Sequence, residues 1–442
     1  MCGAWFPRDL PQRGASALTA LYRTVFRENP GRFATALARG IAILATAEVL
    51  AGAIAFPVRA LAGRVLGAEE FGRYSVVMSV VQFLIWPMLL SVPTAALRFL
   101  PAEPERTDDL VSTMAITTTV ATAVSLVGLW MTRSWWMGRV GLGADLLPWA
   151  LALAAVVAAH NLWESVVRGL HRYRVLALGS LLGAATLLGA FAATVFVWHA
   201  PNARGLIGAT VLSVVVPAAL FAVRVVRGGV RFSRRLETWP RVLGYSGFAT
   251  LGGLTGAVIT AADRLVLQRY VSLEEVGVYA AHVTAASLVA GKALQWWVNV
   301  FFPTIAGERE KLTILARLRS AYALFVGPLF AGSLASIVAI VWLLGKEFPL
   351  RWALAMLLAI NACLVGFYQM YMWLLNAEGM RGLRAVIGVL AAHALMTAAL
   401  LALLVPRFGA LGAAVASVVV NASLCAAFHR LAWSYARRGV LT

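Results

Sequence analysis

The chain has 442 residues, of which 61% are hydrophobic and 13% are charged, with a formal net charge of +19. Soluble proteins are about half apolar and about a quarter charged, so this composition excludes a soluble enzyme, a disordered chain and a disulfide scaffold. The apolar stretches are continuous and do not alternate, which is typical of spanning helices and disfavours a transmembrane barrel. We therefore expect an all-α polytopic membrane protein.

The first 39 residues carry six arginines and lack the apolar core of a secretory signal. Leu18, Leu21, Tyr22 and Val25 follow a helical spacing, which predicts a short basic helix lying on the membrane surface. A disordered tail fits the same composition equally well.

Twelve apolar segments follow, and each reaches the roughly 20 residues that a helix needs to cross the hydrocarbon core. They are 40–62, 74–97, 110–131, 146–167, 175–198, 205–223, 242–262, 277–302, 320–344, 352–375, 385–405 and 409–428. We assign 1–39 to a basic interfacial segment, 40–223 to an N-lobe, 224–241 to a basic cytoplasmic linker, 242–428 to a C-lobe and 429–442 to a cytoplasmic tail.

The distribution of basic residues indicates the orientation. With the amino terminus inside, the inner segments carry 26 Lys and Arg residues and the outer loops carry 10. Because Lys and Arg accumulate in cytoplasmic loops, both termini are predicted to be cytoplasmic.

The two halves of the chain resemble each other at nearly one offset. Glu69, Glu70, Gly72 and Tyr74 correspond to residues 205 positions later, and residues 205–218 match 409–422 at 9 of 14 positions. A third match relates 163–174 to 373–384 at an offset of 210. Since each repeat has six spans, both insert the same way up, as in transporters whose substrate path lies between two parallel halves. A duplicated bundle without a transport role is the alternative.

Four short motifs carry a resemblance to a known family. They are RVLGAEEFGRY at 64–74, ALRF at 96–99, RGLHRYR at 168–174 and GALGAA at 409–414. Over about residues 40–430 the chain resembles the polysaccharide biosynthesis, or oligosaccharide flippase, proteins of the multidrug/oligosaccharidyl-lipid/polysaccharide export superfamily. The resemblance implies two six-helix lobes in a V, a basic central cavity and flipping of a polyprenyl-diphosphate-linked glycan in the bacterial cytoplasmic (inner) membrane. Lipid II flippases often have two further spans, so the end after span 12 favours the polysaccharide branch.

Charged residues inside spans are costly and are therefore candidates for function. Glu48 and Arg59 lie on one small-residue face of span 1, and the duplicate face in span 7 ends in Arg264. We expect both arginines to bind substrate in a shared cavity, with Glu48 and Asp263 as candidates for ion coupling. The alternatives are that the arginines reach the outer interface as anchors, and that Asp263 pairs with Arg264.

Span 8 and span 2 contribute further candidates for substrate binding. Lys292, Gln295 and Asn299 share one face of span 8, where an ammonium suits a diphosphate and the amides suit sugar hydroxyls. A buried ion pair is the alternative for Lys292. Arg98, at the inner end of span 2, could meet a headgroup from the cytoplasm or simply anchor the helix.

Three functions are compatible with these features. The first is a flippase for a polyprenyl-diphosphate-linked oligosaccharide, working by alternating access, with a glycan polymerase or export machinery as possible partners. The second is a drug or cation antiporter, which would require acids in the cavity. The third is a membrane-embedded glycan polymerase or glycosyltransferase, which would require long outer loops. No nucleotide, metal or hydrolase motif is present, so we predict no enzyme activity, no cofactor and no nucleic-acid partner.

Overall fold

The computed structural model describes residues 32–437 except 198, 200, 234–236, 306–310 and 377–379, and the side chains of 32–41, 59, 290, 292–325 and 373 also lie outside the described part. The predicted surface helix near the amino terminus falls outside this range. Throughout the described residues the regular secondary structure is helical, without a β-strand. Ten of these helices are long and apolar enough to cross a membrane.

The helices follow the predicted apolar segments in chain order, which confirms the expected all-α polytopic fold. They are α1 (Arg32–Leu66), α2 (Ala68–Leu89), α3 (Val92–Ala102), α4 (Thr107–Met131), α5 (Arg133–Val140), α6 (Leu147–Gly169), α7 (Tyr173–Phe196), α8 (Ala203–Arg227), α9 (Trp239–Leu267), α10 (Leu273–Ile305), α11 (Lys311–Leu344), α12 (Trp352–Asn376) and α13 (Met380–Arg437). We refer to α1–α8 as the N-lobe and to α9–α13 as the C-lobe.

The second predicted span, 74–97, is two helices and not one. α2 ends at Leu89, and Leu90 and Ser91 adopt left-handed conformations before α3 begins at Val92. Pro93 has no N–H, so in a continuous helix it would leave the carbonyl of Leu89 without a donor. At the start of a helix the missing N–H costs little, which explains why the break lies there.

The last two predicted spans form a helical hairpin within α13. Gly409 interrupts the helix with φ of 53° and ψ of −130°, in a region that side chains disfavour. The two halves then run antiparallel, since His393 Nε2 lies 3.1 Å from Ser423 Oγ although the residues are 30 positions apart.

Helix junctions from both lobes meet at one end of the bundle, which we call the closed end. The backbone N–H of Ala68 donates to Glu347 over 3.0 Å, and Gln268 donates to the carbonyl of Val140. Further contacts at this end join Ala203 with Glu70, Arg204 with Asp145, and Arg351 with Glu275. The opposite end, where the linker lies, is called the open end.

The lobes cross at the closed end through equivalent positions of the repeat. A Cβ atom added to Gly72 would lie 2.0 Å from the carbonyl oxygen of Leu273, and one added to Gly277 would lie 2.0 Å from that of Ala68. Gly72 and Gly277 are 205 residues apart, and so are Ala68 and Leu273. Reciprocal contacts of this kind are the mark of a twofold axis, which here passes between α2 and α10.

A second reciprocal pair flanks this crossing. A Cβ atom on Gly141 would lie 3.2 Å from the side chain of Gln268, and one on Gly345 would lie 4.0 Å from that of Arg64. Gly345 lies 204 residues after Gly141, and Gln268 lies 204 residues after Arg64, so the two contacts are equivalent in the repeat. The duplication read from the sequence is therefore a pseudo-twofold relation between the lobes.

The apolar core continues from one lobe to the other towards the closed end. The largest cluster includes Val77 and Leu84 of α2 together with Val276 and Ala285 of α10. Towards the open end the described side chains form one cluster around Phe99 and Phe221 and another around Tyr371 and Phe428. Val242, in the first turns of α9, belongs to the cluster around Phe99, so among the described side chains α9 contacts the N-lobe at the open end.

We predict that Gly72→Ala and Gly277→Ala each lower the midpoint of thermal unfolding of the purified protein. The added methyl group would collide with backbone of the other lobe, and overpacking of this kind costs about 1–3 kcal/mol. Gly189→Ala is the matched control, because a Cβ atom there meets nothing within 4 Å. Equal midpoints for all three variants and the wild type would contradict the crossing.

Candidate functional site

The first candidate, Arg264, lies where α9 of the C-lobe packs against α2 of the N-lobe. Its Nη1 is 3.5 Å from Oγ of Ser79, a fully buried residue of α2. Its Nε is buried and has no hydrogen-bond partner among the described residues. The guanidinium is therefore directed between the lobes.

Asp263, the neighbouring residue, points into the C-lobe. Its carboxylate accepts a hydrogen bond of 2.7 Å from the hydroxyl of Tyr279 and one of 2.8 Å from the backbone N–H of Arg264. Asp263 is 8% exposed and Tyr279 is 1% exposed. The side chains of Asp263 and Arg264 thus diverge, and the alternative in which they form an ion pair does not hold in this structure.

α2 and α9 make a second contact on the open-end side of Arg264, where the ring of Trp86 lies at the position that a Cβ atom on Gly253 would take. Between these two contacts, Gln82 on α2 and Thr260 on α9 are both exposed. From this exposure we infer a space between the two helices, with Gln82 and Thr260 on its walls. It ends at the contact of Ser79 with Arg264 and at the contact of Trp86 with Gly253, and we call it the interlobe chamber.

The sequence analysis named Arg264 and the small-residue face of span 7, but it missed the residues of α2. Ser79 and Gln82 are polar residues three positions apart within an otherwise apolar run, which is the signal that could have identified them. Their importance depends on which helix faces α9, and that is a property of the fold.

Glu48 lies inside the N-lobe, between α1 and α7. Its carboxylate accepts a hydrogen bond of 2.8 Å from Ser180 of α7. Ala51 and Ala55 are buried against Ala184 of the same helix. The small residues of span 1, which the sequence analysis expected to leave room for a ligand, therefore serve in part to bring α1 close to α7.

Arg98 is exposed at the open end of α3. Its guanidinium lies over the ring of Tyr245 on α9, 4.7 Å from the ring centre, in a cation–π contact. Arg241 stacks on Phe99 close by and pairs with Glu103 over 2.6 Å. Two guanidinium groups thus lie where α9 meets the N-lobe at the open end.

The remaining candidates fall outside the described side chains. They are Arg59 on α1 and Lys292, Gln295 and Asn299 on α10. The backbone at these positions is helical, so the spacing that places the three residues of span 8 on one face is kept. Among the residues that the structure describes, no three His, Cys, Asp or Glu side chains are grouped closely enough to hold a metal ion.

The family described as polysaccharide biosynthesis protein matches residues 37–307 of the chain. The chain belongs to this family. The match includes the whole N-lobe from the first span onwards, the linker and the first two helices of the C-lobe. The family resemblance read from the sequence motifs is thereby confirmed. A search among curated proteins finds no match.

Solved structures of transporters share the fold. An inward-facing multidrug resistance MATE family transporter of the MOP superfamily aligns over 89% of this chain and 96% of its own, with a TM-score of 0.63 and 15% identity. A MATE transporter of Vibrio cholerae aligns over 96% and 99%, with a TM-score of 0.60 and 16% identity. A MOP superfamily transporter from Pyrococcus furiosus aligns over 96% and 97%, with a TM-score of 0.61 and 14% identity. At these identities the likeness establishes the fold alone.

We predict that Tyr279→Phe lowers the midpoint of thermal unfolding. The change removes the hydroxyl that satisfies the buried carboxylate of Asp263, and losing a hydrogen bond to a charged group costs about 1.5–3 kcal/mol. Tyr270→Phe is the control, because Tyr270 lies in the junction between α9 and α10 and is 54% exposed. If the two variants unfolded at the same temperature, the hydroxyl of Tyr279 would not be holding Asp263.

Proposed function

We propose that the protein is a flippase that moves a polyprenyl-diphosphate-linked oligosaccharide across the cytoplasmic membrane by alternating access, for surface or exopolysaccharide synthesis. The observation that carries the proposal is Arg264, a half-buried cation of α9 whose guanidinium is directed towards Ser79 of the other lobe. Such a cation lowers the cost of carrying a diphosphate past hydrocarbon. Membership of the polysaccharide biosynthesis family supports a substrate of this class.

In the proposed cycle the open end faces the cytoplasm, so that both termini are cytoplasmic. The headgroup enters past Arg98 and binds Arg59, Arg264 and Lys292, with Gln295 and Asn299 contacting sugars, while the prenyl tail stays in lipid. The lobes, with the boundaries 40–223 and 242–428, then rock about the crossing of α2 and α10. The glycan leaves on the other side, where a polymerase or export machinery would receive it.

An ion gradient or a concentration difference of the substrate would supply the driving force, since the sequence contains no nucleotide-binding motif. Glu48 and Asp263 are the candidate residues for ion coupling. A carboxyl group is the kind of side chain that binds protons or cations in membrane transporters. Glu48 is held by Ser180 within the N-lobe and Asp263 by Tyr279 within the C-lobe, so each lobe has one candidate.

The drug or cation antiporter is the second candidate, because seven of the solved structures that share the fold are MATE transporters. A cation substrate requires carboxylates in the space between the lobes. The charged residue described there is instead Arg264, while Asp263 and Glu48 point into their own lobes. This polarity favours an anionic substrate. A membrane-embedded glycosyltransferase or polymerase, the third candidate, has no structural observation in its favour.

We predict that Arg264→Ala, Arg59→Ala and Lys292→Ala each strongly reduce surface polysaccharide in cells while the protein still accumulates in the membrane. The reason is that each change removes a cation proposed to meet the diphosphate. Arg269→Ala is the matched control, since Arg269 is exposed in the junction after α9. Normal polysaccharide in all three variants would reject the assignment.

We also predict that Glu48→Gln flattens the dependence of transport on pH. The amide keeps an oxygen that can accept the hydrogen bond from Ser180 but cannot exchange a proton. Transport of a fluorescent lipid-linked saccharide in vesicles with an imposed pH gradient measures the effect. An unchanged pH response would exclude Glu48 as the proton site, whereas the flippase proposal would stand.

A further inference from the structure

We propose that the interlobe chamber binds the diphosphate together with the first sugar attached to it, and that Gln82 of α2 contacts this sugar. The inference rests on the proposed function and makes it specific. It assigns a role in sugar recognition to the N-lobe, whereas the candidates named from the sequence for that role, Gln295 and Asn299, lie in the C-lobe.

The position of Gln82 follows from its neighbours on α2. Ser79 and Trp86, three residues before and four residues after it, both meet α9. Residues at these spacings share one face of a helix, so Gln82 also faces α9. Gln82 is nevertheless exposed, which means that the two helices leave a space between their two contacts.

The exposure of Thr260 on α9 also indicates a space between α9 and α2. It lies four residues before Arg264 and seven after Gly253, on the face of α9 that meets α2, and it is exposed as well. A Cβ atom on Gly256 would meet nothing within 4 Å, so this stretch of α9 is open on that side. The hydroxyl of Thr260 donates to the carbonyl of Gly256 over 2.9 Å, so on this wall the chamber presents an oxygen that can accept, opposite the amide of Gln82.

Arg264 gives the chamber its charge. Side chains of a helix lean towards its amino terminus, and the amino terminus of α9 is at the open end. The guanidinium therefore leans from the closed end towards the chamber, and the Arg264 side chain is only partly buried there. Its only described hydrogen bond, to Ser79, is long at 3.5 Å, which leaves donors for an anion.

The amide of Gln82 suits a different part of the ligand. It lies about one helical turn from Ser79 on the open-end side, next to the position of the anion. A neutral amide both donates and accepts, as sugar hydroxyl groups do, whereas it adds no charge for a diphosphate. The headgroup is thus placed with its diphosphate towards Arg264 and its first sugar beside Gln82.

Calorimetric titration of the protein in phospholipid nanodiscs tests the assignment with two probes. One is farnesyl diphosphate, and the other is the same molecule with N-acetylglucosamine on the terminal phosphate. Farnesol, which has no anion, is the reference ligand. The variants are Gln82→Ala, Gln82→Met, which keeps most of the side-chain volume, and Arg264→Gln. Thr255→Val is the control, because Thr255 lies on the opposite face of α9 from the chamber and bonds its own backbone.

We expect both Gln82 variants to bind the sugar-bearing probe about tenfold more weakly than the wild type, the effect of losing one hydrogen bond, and to bind farnesyl diphosphate unchanged. Arg264→Gln should weaken both probes, and Thr255→Val neither. Wild-type affinity of the Gln82 variants for both probes, or an equal loss for both, would overturn the sugar assignment while leaving the flippase proposal standing. If the wild type bound neither probe better than farnesol, the proposed function would fail and this inference with it.

Discussion

The crossing of α2 and α10 at the closed end is the contact on which the rest of the structure depends. Two helix starts with the same sequence pattern meet there, and glycine at equivalent positions allows each backbone to approach the other. Because the contact is reciprocal, it fixes the twofold relation of the lobes. The lobes can then diverge towards the open end. Polar residues between them therefore need not have hydrogen-bond partners on both lobes.

The acidic and the basic candidates differ in their surroundings: the acids lie within the lobes, and the arginine lies between them. The acids Glu48 and Asp263 are each satisfied by a hydroxyl of the same lobe. Arg264 is directed across the gap instead and keeps donors without partners in the described structure. An ionic group within a membrane is costly when it has no partner, and the proposed anionic substrate would supply a partner for this cation.

The sequence was sufficient to predict the helices, the duplication and the candidate charged positions, because these depend on composition, periodicity and internal likeness. Gly72 and Gly277 stood out as repeated residues before their contact was known. Two features required the fold. The break at Leu90 and Ser91 depends on whether the helix before Pro93 continues, and Gln82 matters only because α2 faces α9. The partners Ser180 of Glu48 and Tyr279 of Asp263 lie on other helices, so no local pattern could reveal them.

α9 has one further property that bears on motion. Its first turns are attached to the N-lobe, through Trp239 with Thr117 over 3.2 Å and through Val242 in the N-lobe core, whereas Asp263 near its end is bonded within the C-lobe. A relative displacement of the lobes must therefore deform α9 or detach one of its ends. Gly244, Gly247, Gly252, Gly253 and Gly256 lie between the two attachments, in the stretch where a helix has the least resistance to bending. α9 connects the two lobes covalently, and it would therefore bend elastically when the lobes move and would not act as a flexible linker.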